Sequence, residues 1–326
     1  MSKITEADYQ AYQVLIGKEY SQREACKILD IPRTTMQYYL ANKVGQKEET
    51  DTEYLLSSEA NAKQLLESVS RVQKVRKKLT IAVIADTQCK AEENLDYMLW
   101  ISKYLADKRP DVIVHIGDHY DFPSLSSYDK GKTTAEGRRL HLDIEAGNTG
   151  FEFLNRFIDK VPDYKPLKIF TVGNHEHRLD RYVEDNPELV GTLGVDKLPF
   201  DKYGWTVYPF LKPAEVEGIF FVHYLANPMT GKPFGGNALN ILKTVGRSYV
   251  VGHKQCLDIA VRPTIDGKHQ FGIVNGACYP HDEAYKGYQG NNHFRGLTML
   301  HEVEDGFGLP MLVSLDYMKE RYYQEG

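Results

Sequence analysis

Four cysteines, Cys26, Cys89, Cys256 and Cys278, are spread over 326 residues, and none stands in C-x-x-C spacing. That excludes a disulfide-stapled scaffold and points to a reducing, cytoplasmic setting. No apolar run approaches the length of a membrane span, and the opening Met-Ser-Lys-Ile-Thr-Glu lacks the apolar core of a signal peptide. The chain is therefore expected to be soluble, with no membrane partner. Internal repeats and low-complexity tracts are also missing. What is present is 42% apolar composition over a length that accommodates one large domain with a small companion.

Three short apolar runs rich in β-branched residues, 79–85, 111–116 and 167–172, read as buried strands. Between the first two, Glu92 to Lys108 carries Leu95, Met98, Leu99 and Leu105 on one helical face and is closed by Pro110. Between the second and third, a helical segment from about Thr134 to Lys160 reads as interrupted by Gly147 and Gly150. Strand alternating with helix implies a parallel sheet, and such sheets gather ligands outside the carboxyl ends of their strands. Those ends are followed by Asp86-Thr87-Gln88, Gly117-Asp118-His119-Tyr120-Asp121 and Gly173-Asn174-His175-Glu176, echoed downstream by His223 and Gly252-His253-Lys254-Gln255. Carboxylates, amides and imidazoles meeting at one sheet edge are what a metal centre needs. Taken singly, an Asp at a strand end is ordinarily a cap or turn residue, and a lone His is ordinarily a core side chain. Several motifs in order outweigh that reading.

This set resembles the calcineurin-like metallophosphoesterases, whose blocks run D-x-H, G-D-x-x-D, G-N-H-[DE], a lone His and G-H-x-H. The resemblance covers about residues 79–255 and implies an α/β fold of two face-to-face sheets flanked by helices, a four-layer sandwich. It also implies two divalent metal ions bridged by Asp118, with Asp86, Gln88 and Gln255 completing one site and Asn174, His223 and His253 the other. Two cations ~3.5 to 4 Å apart share a hydroxide and neutralise charge in an in-line displacement. By the same resemblance Asp121 orients His175, which protonates the departing oxygen. Arg178, three residues on, is a candidate phosphate clamp.

Gln88 and Gln255 stand where the family has His. A carboxamide offers a neutral, hard oxygen, so Mn2+ or Mg2+ is expected in preference to Zn2+. A decayed site holding one metal is the rival reading. Cys89 and Cys256 each follow one of these glutamines; they either approach one another near the metals or, as favoured, pack as small half-buried side chains. Among the remaining histidines, His119 and His177 lie inside motifs and are placed to touch substrate. His115, His141, His269, His281, His293 and His301 read as structural or surface residues.

Residues 1–45 read as a separate all-α domain. Ser21-Gln22-Arg23-Glu24 is a capping box opening a helix with Ala25, Ile28 and Leu29 inward, broken at Asp30-Ile31-Pro32. A second helix from Arg33 to Leu40 offers Met36, Tyr39 and Leu40 for packing. The pattern resembles the helix-turn-helix of phage and transposase DNA-binding modules, apart from Asp30 where a turn glycine is common. That resemblance places Arg33, Thr34, Thr35, Gln37 and Tyr38 at the groove, with Lys43 and Lys47 on phosphates. Bases and acids balance through Glu49, which tempers the expected affinity, although residues 31–47 hold bases and no acids. A helical bundle for protein contacts is the alternative.

Residues 46–78 read as a linker followed by an amphipathic helix, with Ala62, Leu65, Leu66, Val69, Val72 and Val75 in a stripe suited to docking or a homodimer and a basic end from Arg71 to Lys78. Beyond Gly191, strands are expected at 205–209, 218–223, 248–251, 271–274 and 297–302, with polar loops at 231–240 and 279–295 in which Tyr285, Tyr288 and Phe294 are available to stack bases. The expected function is a metal-dependent nuclease, DNA favoured, within a domain at 79–326. The alternatives are a phosphomonoesterase or protein phosphatase, or a DNA-binding scaffold with an impaired metal site.

Overall fold

The computed structural model describes residues 4–18, 20–43, 77–127, 131–283, 291 and 293–323. The chain divides into two compact units, 1–77 and 78–326. The amphipathic stripe at 62–75 and the residues Lys47, Tyr285 and Tyr288 lie outside the described residues.

Among its described residues the first unit has three helices, α1 (Glu6–Gly17), α2 (Gln22–Ile28) and α3 (Arg33–Lys43). Reciprocal capping boxes open α1 and α2: Thr5 with Asp8, and Ser21 with Glu24. Tyr12, Ala25, Cys26 and Met36 form the small core, with Leu15, Leu29 and Leu40 packed on it. The expected inward Ile28 is instead 49% exposed, and Cys26 takes its place. The inner face of α2 runs from Ala25 and Cys26 to Leu29, three residues beyond Cys26, whereas Ile28 falls at the outer edge of that face. Asp30 supplies the left-handed turn residue, φ 53°, after α2.

In the second unit the strands β1 (Leu79–Ile84), β2 (Val112–His115), β3 (Leu167–Thr171) and β4 (Trp205–Tyr208) run parallel. Their sheet is completed by β10 (Gly296–Glu304), antiparallel to β1 with Ile81 opposite Leu300, and by β11 (Phe307–Ser314) outside it. A second sheet has the order β5-β6-β7-β9-β8, from β5 (Ala214–Val216), β6 (Ile219–Val222), β7 (Tyr249–Val251), β8 (Asp258–Pro263) and β9 (His269–Val274).

Alternation along the strands sorts the core into layers. Ala82, Ile84, Ile113 and Phe170 pack on the helices α4 (Asp96–Lys108), α5 (Leu140–Ile158) and α8 (Leu315–Tyr322) through Met98, Ile101, Phe151, Leu154 and Met318. Ile81, Val83, Val114 and Ile169 point the other way, against Phe221, Val250, Phe271 and Ile273 of the second sheet. That sheet's outer face, with Val222, Tyr249 and Val251, is covered by Ile241 and Leu242 of α7 (Ala238–Val245). Helices, sheet, sheet and helix make the four layers.

Two elements differ from the sequence expectation. The long helix starts at Leu140 and is continuous through Gly147 and Gly150. Those glycines permit close approach: a Cβ on Gly147 would meet the Tyr120 ring at 1.9 Å, and one on Gly150 the Cys89 sulfur at 2.4 Å. The expected loop at 231–240 ends early, because Asn237 caps α7 by accepting from the Asn240 amide at 2.9 Å. A further helix, α6 (Glu176–Asp185), follows the third motif. Among the described residues, no helix is long and apolar enough to cross a membrane.

Candidate metal centre

The loops after β1, β2 and β3 are tied to one another by their backbones. The amide of Asp86 donates to the Gly117 carbonyl (3.1 Å), that of Gln88 to Asp118 (2.9 Å) and that of Cys89 to His119 (2.7 Å). The loops touch so closely that a Cβ on Gly117 would lie 2.5 Å from the Gly173 nitrogen, and one on Gly252 would lie 2.4 Å from Asp86 Oδ2. Asp86, Gln88, Asp118, His253 and Gln255 all hold positive φ, between 41° and 66°. Left-handed backbone is uncommon for such residues and is kept where the surroundings over-determine it, functional sites above all.

Four groups able to offer a lone pair converge at the first position. One ligand atom each of Asp118, His223 and His253 lie within 4.8 Å of one another. Asn174 Oδ1 is 2.8 Å from His223 Nε2 and 2.7 Å from His253 Nδ1, and Asp118 Oδ2 is 3.2 Å from His223 Nε2. His223 Nδ1 lies 3.0 Å from the Ile116 carbonyl and must donate to it, which leaves the Nε2 lone pair aimed at the two oxygens. A cation resolves that confrontation, and a backbone acceptor behind the imidazole is the usual support of a metal-ligating His. Without a cation only a proton relieves it. Burial opposes that proton, yet Asp118 and Asp86 push the His223 pKa up to about 9. Burial likewise acts to raise the Asp118 pKa, but the rings of His175 and His223 hold it well below the carboxylate range. The donor set fits a divalent cation.

The residues expected to complete a second position are arranged differently. Asp86 is buried and accepts from the His253 amide (Oδ2, 3.1 Å) and from Gln255 Nε2 (Oδ1, 3.3 Å). Burial raises its pKa to about 6; the His223 charge opposes this and the Asp118 charge adds to it. Gln255 Oε1, expected to face the metal, accepts from the Tyr279 hydroxyl at 2.7 Å. Gln88 is fully buried, and among the described residues neither its Oε1 nor its Nε2 has a hydrogen-bond partner. Such an orphaned amide carries a cost that a bound cation would relieve.

His175 Nδ1 faces Asp121 Oδ1 at 2.8 Å, the expected pairing. Its Nε2 lies 2.9 Å from Arg178 Nη2 and 3.7 Å from Asp118 Oδ2. Burial lowers the His175 pKa and Asp118 raises it; with Asp121 added, the net direction is upward against Arg178. Arg178 also donates to the Asp121 carbonyl at 2.9 Å, so its guanidinium braces the dyad.

Glu176, the last residue of the third motif, holds the loops together. Its carboxylate accepts from the backbone amides of Gly173, Asp118, His119 and Tyr120. The sequence displays this residue but not its task. His119, expected within reach of substrate, is fully buried. It belongs to a chain in which Gly117 N–H donates to His115 Nδ1, His115 Nε2–H to Thr87, Thr87 O–H to His119 Nδ1 and His119 Nε2–H to the Gly147 carbonyl. Burial keeps both rings neutral, His119 near a pKa of about 4. Cys256 is exposed and Cys89 buried beside the Tyr97 hydroxyl, so the two do not meet. His177 is half-buried and stacks on Phe210 at 4.3 Å; Phe210 meets Tyr224, which lies 4.8 Å from the His253 ring. Phe294 is half-buried. On α3, Arg33, Thr34, Gln37 and Tyr38 are exposed and Thr35 is half-buried.

The model of the calcineurin-like phosphoesterase family matches residues 79–266. The chain belongs to that family. The Gene 54 protein of Mycobacterium phage D29 is 30% identical over 201 residues, covering 58% of this chain and 74% of that protein. Its namesake in Mycobacterium phage L5 is 30% identical over 181 residues, 53% of this chain and 68% of the relative. Among solved structures, the phosphoesterase YfcE from E. coli is 14% identical, with 73% of this chain and all of that one covered, at a TM-score of 0.33. Likeness at that level adds nothing to the assignment. Phosphoester hydrolysis with divalent metal ions is the family's chemistry.

Proposed function

We propose that the chain is a metal-dependent phosphodiesterase acting on nucleic acid, in the first instance a DNA nuclease. The observation that carries the phosphoesterase part is the convergence of Asp118, Asn174, His223 and His253, which between them can turn two carbonyl-type oxygens and two ring nitrogens on one divalent cation. Divalent ions there supply charge neutralisation and a nucleophile at neutral pH. Asp118 would be shared between the two ions, and Asn174 with the two imidazoles would hold the first. Asp121 holds His175 with Nε2 toward the reacting edge. Arg178 caps that nitrogen; when His175 takes up a proton there the guanidinium is repelled and freed to reach a phosphoryl oxygen.

The substrate class rests on other observations. The helices α1 to α3 present Arg33, Thr34, Gln37 and the 75% exposed Tyr38 on one element, as a groove-reading helix would. The row His253, Tyr224, Phe210 and His177 offers aromatic surface beside the centre for a base.

The test is hydrolysis by metal-stripped protein, reloaded in turn with manganese, magnesium and zinc, on DNA, RNA, bis(4-nitrophenyl) phosphate and 4-nitrophenyl phosphate. We expect manganese-dependent cleavage of DNA and of the diester. Turnover of the monoester alone would replace the nuclease reading with a phosphomonoesterase, and full activity with zinc would overturn the metal preference.

A further inference from the structure

The amide of Gln255 turns its nitrogen toward Asp86 and its oxygen away, and the reason lies in a residue outside every motif. Tyr279 follows β9 and is fully buried; its hydroxyl donates to Gln255 Oε1 at 2.7 Å. The other end of the amide, Nε2, lies 3.3 Å from Asp86 Oδ1. An ionised carboxylate only accepts, so the nitrogen faces Asp86, and the phenol, donating to the amide oxygen, holds that oxygen on the far side. Gln255 is thus held at both ends. Asp86 is held as well, since its second oxygen accepts the His253 amide at 3.1 Å.

We infer that Gln255 is a positioning residue, a strut between Tyr279 and Asp86, and that the chain consequently retains one divalent ion tightly and a second only weakly. This rests on the metal-centre reading above. The first position has Asp118, Asn174, His223 and His253 around it. Among the described residues the second keeps Asp86, the shared Asp118 and Gln88, whose buried amide has an oxygen with no hydrogen-bond partner. Fewer ligand oxygens and less ligand charge weaken a hard-cation site. With no donated oxygen from Gln255, the remaining coordination falls to water and substrate. A phosphodiester carries the oxygens that such a position lacks, so the second ion is expected to arrive or tighten with substrate.

Manganese-loaded full chain, dialysed and examined by elemental analysis and electron paramagnetic resonance, tests this without recourse to activity. We expect one retained ion per chain with the signal of an isolated Mn2+. Gln255→His, which returns an imidazole to the position, is expected to raise this to two ions with a spin-coupled spectrum. Gln255→Leu, which removes both amide ends, is expected to leave one ion, the retained ion itself reporting that the variant is folded. Two retained, coupled ions in the unaltered chain, falling to one in Gln255→Leu, would make Gln255 a ligand and overturn the inference alone. An unaltered chain that retains none would overturn the metal-centre reading and this inference with it.

Discussion

The carboxylate of Glu176 accepts the backbone N–H of His119 at 2.6 Å, and with the same two oxygens it accepts three further amides, from Gly173, Asp118 and Tyr120. One side chain thereby fixes the curvature of the loop that carries Asp118. Glu176→Gln keeps the shape but turns an amide NH2 toward backbone donors, leaving buried N–H groups unpaired. A hydrogen bond to a charged group is worth about 1.5–3 kcal/mol, and an unpaired buried donor costs about 1–3 kcal/mol. A loss of about 3 kcal/mol in chemical denaturation is expected, together with weaker manganese retention; unchanged stability would remove Glu176 from this role.

Gly147 makes a second test possible. Replacing a helical glycine with alanine normally stabilises an exposed helix by about 1 kcal/mol. Here the added methyl would stand 1.9 Å from the ring of Tyr120, which stacks on Phe122 and donates its hydroxyl to Asn148. Gly147→Ala is therefore expected to destabilise by about 2–3 kcal/mol through overpacking. Thermal unfolding decides the sign, and a stabilised variant would show that the ring moves aside freely.

The same glycine marks the boundary of what is legible in the sequence. Strands β1, β2 and β3 and the loops after them can be read because each is a short local pattern, an apolar run stopped by a polar motif. Gly147 and Gly150 look like helix breaks in sequence, since the partners that require them, Tyr120 and Cys89, come from other loops. Strand β10 lies beside β1 although Val303 and Leu79 are far apart in sequence, and no local pattern announces that pairing. The ligand set is legible as residue types. The direction of the Gln255 amide is not, because it is decided by Tyr279, a residue with no motif around it. Helix α1 escapes the sequence reading although Thr5-Glu6-Ala7-Asp8 forms its capping box, a local signal that announces it.

The DNA-recognition reading of α3 yields a prediction of its own. Arg33 and Gln37 are exposed on the helix that would enter the groove. Truncating either to alanine is expected to cost about 1–3 kcal/mol against the preferred duplex and much less against a scrambled one. Fluorescence anisotropy of the full chain across a salt series measures both. Unaltered affinity in both variants would leave α1 to α3 as a protein-contact module.

His175 and Asp121 should behave as one catalytic unit. The imidazole is fixed by a 2.8 Å contact to Asp121 Oδ1, while Asp118 Oδ2 stands 3.7 Å from it, beyond hydrogen-bond range. His175→Ala is thus expected to lower kcat on DNA by about 10²–10⁴ while manganese retention is preserved. Asp121→Asn removes the acceptor that orients the ring and should lower kcat in the same direction. The double variant should be no slower than His175→Ala, because groups acting as a unit are not additive. Bis(4-nitrophenyl) phosphate separates acid catalysis from damage to the site, since its phenolate leaves without a proton. A loss on that diester as large as the loss on DNA would mean that His175 serves the metals or the fold and does not protonate the leaving oxygen.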